Sequence, residues 1–259
     1  MRIVTFASGS TGNCSLITDG KANILIDAGI SMRRAVSALD EYGLTPQDLC
    51  GVLITHEHSD HISGLSMLNK YYRLPIIAPT ELCDVLKDTK PELSSSLNAI
   101  GVGEVLNIDS IKIRAFRTPH DSRFSVGYRF EGSGIFAFAT DTGMITDEML
   151  DGLTGADTAL IEANHDLEML KNGPYPYFLK KRILSDHGHL CNDECGKLAL
   201  SLANSGTKHI ILGHLSRENN TPEIAHKTVS DVLTGTDTAV LVAPMKNFLA
   251  VDIGVGVEC

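Results

Sequence analysis

Residues 51–64 read GVLITHEHSDHISG: an apolar run followed at once by four strong metal-ligand side chains, His56, His58, Asp60 and His61. The run GVLIT has the length and branched content of a buried strand. Alternate residues of an extended segment share a side, so His56 and His58 are placed to face one ion together. In a helix, residues two apart would point to different faces. A bend at Ser59 then presents Asp60 and His61 to a second ion nearby. Imidazole nitrogen mixed with carboxylate oxygen suits Zn, Mn or Fe. A single histidine at a strand end is usually a packed or solvated residue; four donors within six residues read as a metal centre.

Upstream, short β-rich runs at 3–6, 14–18 and 24–27 are punctuated by Gly9, Gly12, Gly20 and Gly29, as turn glycines separate strands. Ser31 caps a helix running to Tyr42, and Gly43 follows its end. Downstream, the pattern predicts a helix over 62–72, a strand over 76–78 and a helix over 80–86. Strands follow at 102–106, 111–117, 125–131 and 135–139. A strand at 158–162 then precedes helices at 177–184 and 193–205, a strand at 209–212, a helix at 222–233 and strands at 239–242 and 248–252. Two mixed β blocks, each followed by helices, predict an α/β protein with two sheets stacked face to face and helices on both outer faces. That is a four-layer αββα sandwich. No linker rich in Pro, Gly or Ser divides it, so 1–259 is expected to form one domain.

The 43% hydrophobic and 21% charged side chains exclude disordered and fibrous classes. With no tryptophan and 5% aromatics, an aliphatic core of Val, Ile, Leu and Ala is expected. The most apolar stretch, 240–257, is broken by Pro244, Lys246, Asn247 and Asp252. A membrane span needs about 20 nearly unbroken apolar residues, so no membrane association is expected. The N-terminus lacks the apolar segment of a signal peptide. Cys14, Cys50, Cys83, Cys191, Cys195 and Cys259 are scattered, with no CxxC among them, which points to a reducing cytoplasm. The net charge of −10 disfavours a nucleic-acid partner, unless several carboxylates serve to hold divalent cations.

The HxHxDH pattern after a strand resembles the metallo-β-lactamase superfamily, and the resemblance continues in order along the chain. Asp27 in ILIDAG, His120 in TPHDS, Asp141 in FATDTG and His214 in ILGHLS match the remaining motifs. The resemblance implies a sandwich of the metallo-β-lactamase type and two divalent transition-metal ions. His56, His58 and His120 would hold the first ion; Asp60, His61 and His214 the second. Asp141 would bridge them, and Asp27 would orient a ligand from behind, since ligating histidines usually donate their other N–H to a carboxylate or carbonyl. A plain turn-capping role for Asp27 stays open.

Metal ligands alone do not select a reaction. The loop SDHGHLCN at 185–192 together with GHLSRENN at 213–220 resembles the nuclease branch of the superfamily, such as tRNA 3′-processing endonuclease. SGSTGN at 8–13, HEHSDH, EANHD at 162–166, GPYP at 173–176 and GHLS are similar to the YycJ (WalJ) family. Its members are bacterial single-domain proteins regarded as 5′-to-3′ exonucleases on double-stranded DNA. The chain carries Cys191 where that family often has Ser, and it lacks the inserted domain of the large RNA exonucleases.

These resemblances imply a phosphodiesterase in which a hydroxide shared by two ions about 3.5–4 Å apart attacks a phosphodiester. Asp60 would orient that nucleophile. His189, just before a helix start with Asn192, is the expected aid to the leaving group or phosphate, with His187 as its substitute. Ser8, Ser10 and Asn13 form a glycine-rich turn that either offers N–H groups to a 5′ phosphate or is an ordinary hairpin turn. Ser216 completes the expected substrate contacts, and Lys171, Lys180, Lys181, Arg182 and Arg217 are the candidate cations for the nucleic-acid backbone. Two rivals stand beside this reading: a hydrolase of small cyclic phosphodiesters or thioesters, which suits an acidic chain, and a non-catalytic metal-binding regulator. The oligomeric state is open.

Overall fold

A computed structural model describes residues 1–254; Cys259 and the end of the apolar stretch at 255–257 lie outside the described residues. Strands β1 (Arg2–Ala7), β2 (Cys14–Thr18), β3 (Asn23–Ile26), β4 (Gly51–Leu53), β5 (Ile76–Pro79) and β6 (Leu97–Ile100) build a first sheet. A second holds β7 (Val105–Ile108), β8 (Ile111–Arg117), β9 (Val126–Glu131), β10 (Ile135–Ala139), β11 (Thr158–Glu162), β12 (His209–Gly213) and β13 (Ala239–Val242). The last strand, β14 (Leu249–Asp252), leaves the second block and pairs antiparallel with β1, giving the order β14-β1-β2-β3-β4-β5-β6. Each sheet begins as an antiparallel meander and continues as parallel strands with helical crossovers.

The strands are apolar on both faces because each sheet is covered on both faces. In β3, Ile24 and Ile26 enter the layer between the sheets while Leu25 faces outward onto helices. In β12, Ile211 points inward and Ile210 and Leu212 point outward. The outer layer on the first sheet includes α1 (Met32–Glu41), α3 (Leu65–Tyr72) and α4 (Thr80–Thr89); that on the second includes α5 (Asp147–Leu153), α8 (Asn192–Asn204) and α9 (Pro222–Val232). These are the four expected layers. The core is less purely aliphatic than composition suggests. Tyr128, Phe130 and Phe136 are fully buried between the sheets, with the Phe130 and Phe136 rings 5.8 Å apart. The scarce aromatics are concentrated where two flat apolar faces must be filled.

Strand β6 is absent from the sequence pattern, and three further features depart from it. The helix expected over 62–72 is broken into α2 (Ser59–Ile62) and α3. Gly64 lies at the break, where a Cβ would stand 2.0 Å from the Ile30 carbonyl oxygen. Helices α5 and α6 (Leu167–Asn172) escape the apolar periodicity because they are short, although each carries a readable cap: Thr146 accepts from Met149 N and Asp166 from Met169 N. The strand expected from 102 starts at Val105, because Gly101–Glu104 is a turn with Gly103 at φ +79°.

Candidate metal centre

The C-terminal ends of β3, β4, β10, β11 and β12 lie along one edge of the sandwich, the usual place for a site in an α/β sheet. Each runs out into an ionisable residue: Asp27, the His56 segment, Asp141, Glu162 and His214. Asp27, Asp141 and His214 have left-handed backbones, with φ of +61°, +57° and +54°. Non-glycine residues held there are strained and cluster at functional sites.

The ring tautomers follow from what stands behind each ring. A carboxylate oxygen of Asp27 lies 2.7 Å from His61 Nδ1, and one of Glu162 lies 2.8 Å from His214 Nδ1. His120 Nδ1 meets the Gly188 carbonyl at 3.1 Å. Ionised carboxylates and carbonyls only accept, so in each case Nδ1 carries the proton and Nε2 is turned to the centre. His56 obeys the same logic through Thr55. That hydroxyl donates to Asp27, so its lone pair accepts from His56 Nδ1 at 3.1 Å.

Around the His56 ring, the rings of His58, His61 and His120 have centroids 4.7, 4.0 and 5.0 Å away. His56, His58 and His120 form one potential ligand triad; Asp60, His61 and His214 form another. Asp141 lies between them, with one oxygen 3.2 Å from His61 Nε2 and the other 3.7 Å from His120 Nε2. His56 Nε2 is buried with no hydrogen-bond partner. Orphaned buried polar atoms of this kind are costly unless something else satisfies them. The donor set fits divalent transition-metal ions.

The charges act as one system. Burial together with the His61 charge drives His56 well below its ordinary pKa, so it is neutral and ready to ligate. Burial also pulls His214 down, but Asp141, Asp60 and Glu162 outweigh it and push it up to about 10. His61 is likewise held well above its usual value by Asp141 and Asp27 against burial. Burial raises Asp141, yet His214, His61 and His56 hold its carboxyl well below the carboxylate range. A cluster in which carboxylates pull protons onto ring nitrogens is one in which a cation can take the protons' place.

The centre floors a cleft of about 240 Å³, lined there by His58, Asp60, Asp141, His189 and His214 and on its walls by Ser10, Ser216, Tyr175 and Arg182. His189 stands at this cleft with Nδ1 held by Glu162 at 2.8 Å; burial lowers its pKa, but Glu162 and Asp141 raise it overall. Glu162 is the functional residue that motif reading passes over. It is fully buried, its second oxygen accepts from Thr142 N and Leu190 N, and burial is outweighed by His189 and His214 so that its pKa is about 2.

Other expected contacts are placed elsewhere. His187 is exposed and does not line the cleft. Ser8 is buried and accepts from His214 N at 2.8 Å, fixing that backbone. Asn13 is buried with its amide 3.0 Å from His61 Nε2, braced by Gly9. Asn192 exchanges two amide hydrogen bonds with Asn220 inside the protein. Of the substrate contacts expected from sequence, Ser10, Ser216 and His189 line the cleft, whereas Ser8, Asn13 and Asn192 do not; their amide and hydroxyl groups are consumed in holding loops. Lys180 is also occupied, donating to the carbonyls of Lys171 and Gly173, and Arg182 pairs with Asp121. His165 is buried, with both ring nitrogens unpartnered and a pKa lowered by burial to about 4.

Comparison with known proteins identifies the family and the fold. The beta-lactamase superfamily domain model matches residues 22–215. The chain is 39% identical over 238 residues to the exodeoxyribonuclease WalJ of Streptococcus pneumoniae serotype 2, covering 90% of this chain and 88% of that protein. It is 38% identical over 229 residues to the exodeoxyribonuclease YycJ of Bacillus anthracis, covering 88% and 87%. The crystal structure of the metallo-beta-lactamase fold protein YhfI from Bacillus subtilis superposes with a TM-score of 0.73 over 96% of this chain and 98% of that one, at 19% identity. That likeness concerns the fold.

Proposed function

Because this chain belongs to the beta-lactamase superfamily and shares 38–39% identity with two exodeoxyribonucleases along most of its length, we propose that it is a metal-dependent phosphodiesterase degrading DNA from a 5′ end. Double-stranded DNA is the proposed substrate and the cytoplasm the proposed compartment. The described cysteines are unpaired, as a reducing compartment requires. No helix among the described residues is long and apolar enough to cross a membrane. A single domain over 1–259 is inferred because β14 returns to the first sheet and both halves feed the layer between the sheets.

The observation that carries this reading is the pair of donor triads joined by Asp141 on the floor of an open cleft, with a carboxylate-braced histidine beside them. His56, His58 and His120 would hold one ion and Asp60, His61 and His214 the other, with Asp141 shared. Two divalent ions there would withdraw charge from the phosphate oxygens and make a water acidic enough to attack at neutral pH. Asp60, part-exposed at the cleft floor, would orient that water. His189, protonated on Nδ1 against Glu162, offers Nε2–H to the departing sugar oxygen. Glu162 keeps that imidazolium favourable without facing the solvent itself. Ser10 and Ser216 supply neutral hydrogen-bonding groups on the cleft walls.

The test is cleavage of 5′-phosphorylated, end-labelled duplex and single-stranded DNA with Zn, Mn or Fe added. Stepwise release of nucleotides, lost in His58→Ala and Asp60→Ala, is the expected result. Metal uptake with no turnover of any phosphodiester would refute the proposal.

A further inference from the structure

Helix α7 (Tyr177–Ile183) borders the cleft with one side and turns a second, unusual side to solvent. Leu179, Arg182 and Ile183 line the cleft. Tyr177, Lys181 and Leu184 line a separate shallow groove of about 440 Å³ on the helix's other flank, closed by Lys171 and Lys180. Tyr177 is 81% exposed and Phe178 74% exposed. In a chain with 5% aromatics and a core that uses them as filler, two adjacent rings left in water call for an explanation.

The surroundings name the kind of partner. The last turn of α7 carries Lys180, Lys181 and Arg182 in succession, on a chain of net charge −10. Flat apolar rings beside cations, one helix width from a phosphodiester-cleaving centre, suit a ligand with a planar apolar face and a negatively charged backbone. Stacking on exposed aromatics with lysines tracking the phosphates is how single-stranded nucleic acid is bound without sequence preference.

We infer that α7 is a nucleobase-stacking ridge. The strand to be cut lies in the cleft on the Arg182 side, and successive unpaired bases at the opened DNA end stack one on Tyr177 and one on Phe178. Lys181 meets a phosphate beyond the ridge, joined by Lys171 where phosphate displaces its exposed partner Glu168. This rests on the nuclease reading above and adds to it an element that engages the polymer rather than the scissile bond.

The experiment compares the metal-loaded full chain with a Tyr177→Ala/Phe178→Ala double variant and with the ring-preserving pair Tyr177→Phe/Phe178→Tyr. Each is assayed on 5′-phosphorylated DNA and on bis(p-nitrophenyl) phosphate, a diester too small to reach the ridge. Loss of stacking should raise KM for DNA by about tenfold or more relative to the small diester, and the ring-preserving pair should restore it. If DNA and diester kinetics keep the wild-type ratio in the alanine variant, the ridge is refuted and the nuclease reading stands. If the wild-type chain cleaves the diester but no DNA, both are refuted. A shift in sedimentation of the alanine variant at unchanged DNA kinetics would assign this face to a second copy of the chain and overturn the inference.

Discussion

Glu162 Oε1 lies 2.8 Å from His189 Nδ1, and the two side chains are joined inside a protein wall that excludes water from the carboxylate. The same oxygen is 2.8 Å from His214 Nδ1. One buried charge thus braces a donor of the second triad and the proposed acid of the leaving group.

Replacing that charge should disturb both partners, and the pH profile reads the effect on His189. Glu162→Gln keeps the shape but removes the attraction holding a proton on His189, whose pKa then falls. The alkaline limb of the DNA-cleavage profile should therefore move to lower pH, and kcat should drop by about 10²-fold or more. An unshifted alkaline limb would show that His189 is not the acid.

Metal loading should expel protons. His61 and His214 are held protonated at neutral pH by Asp141 and its neighbours. Because these pKa values are raised, the protons remain until pH climbs towards about 10 for His214, so apparent metal affinity should strengthen steadily between pH 6 and 8. Calorimetric titration of chelator-stripped protein in two buffers of different ionisation enthalpy measures the release directly. Buffer-independent heats would contradict this account.

Asp27 accepts from Thr55 N at 2.9 Å and faces His61 Nδ1 at 2.7 Å, so Asp27→Asn should loosen His61 directly and His56 less, through the Thr55 hydroxyl. Loss of such a supporting carboxylate typically weakens metal binding about 10–100-fold. Metal analysis during dialysis should find the Asp60–His61–His214 site emptying first; content equal to wild type throughout would contradict this role.

Gly29 is a steric requirement of the centre. A Cβ there would sit 1.6 Å from the Asp60 carbonyl oxygen, a backbone atom on the same turn as two ligands. Gly29→Ala should cost about 2–3 kcal/mol of stability, read as a lowered urea midpoint. Gly132→Ala, whose added methyl would make only ordinary contacts, the nearest being the Met1 sulfur at 3.4 Å, should leave the midpoint nearly unchanged.

What the sequence reveals of this site depends on spacing. His56, His58, Asp60 and His61 are conspicuous because they crowd behind one strand, and the triads they join lie together in the folded chain. Glu162 is inconspicuous because it stands alone, and a lone acid at a strand end resembles any surface acid. Its readable signals are that it opens the EANHD stretch and that ALIE ends an apolar strand in a charge, as ILID and ILGH do; neither assigns it a role. Ser8, Asn13 and Asn192 have the chemistry of substrate contacts, and only their folded partners show otherwise: Ser8 holds the His214 backbone, Asn13 the Gly9 turn and His61, and Asn192 pairs with Asn220. The broken helix near Gly64 is set by contact with the Ile30 carbonyl, a long-range clash that local periodicity cannot register.

The left-handed conformations of Asp27, Asp141 and His214 have a consequence for how such a protein can be altered. At these positions the backbone penalty falls on every residue with a β-carbon, whether or not it binds anything. Asp141→Gly should therefore relieve local strain while abolishing the bridge between the triads, yielding a metal-poor protein that resists heat better than its alanine counterpart. The three strand ends thus hold their acidic and imidazole side chains at a backbone cost that glycine would not carry.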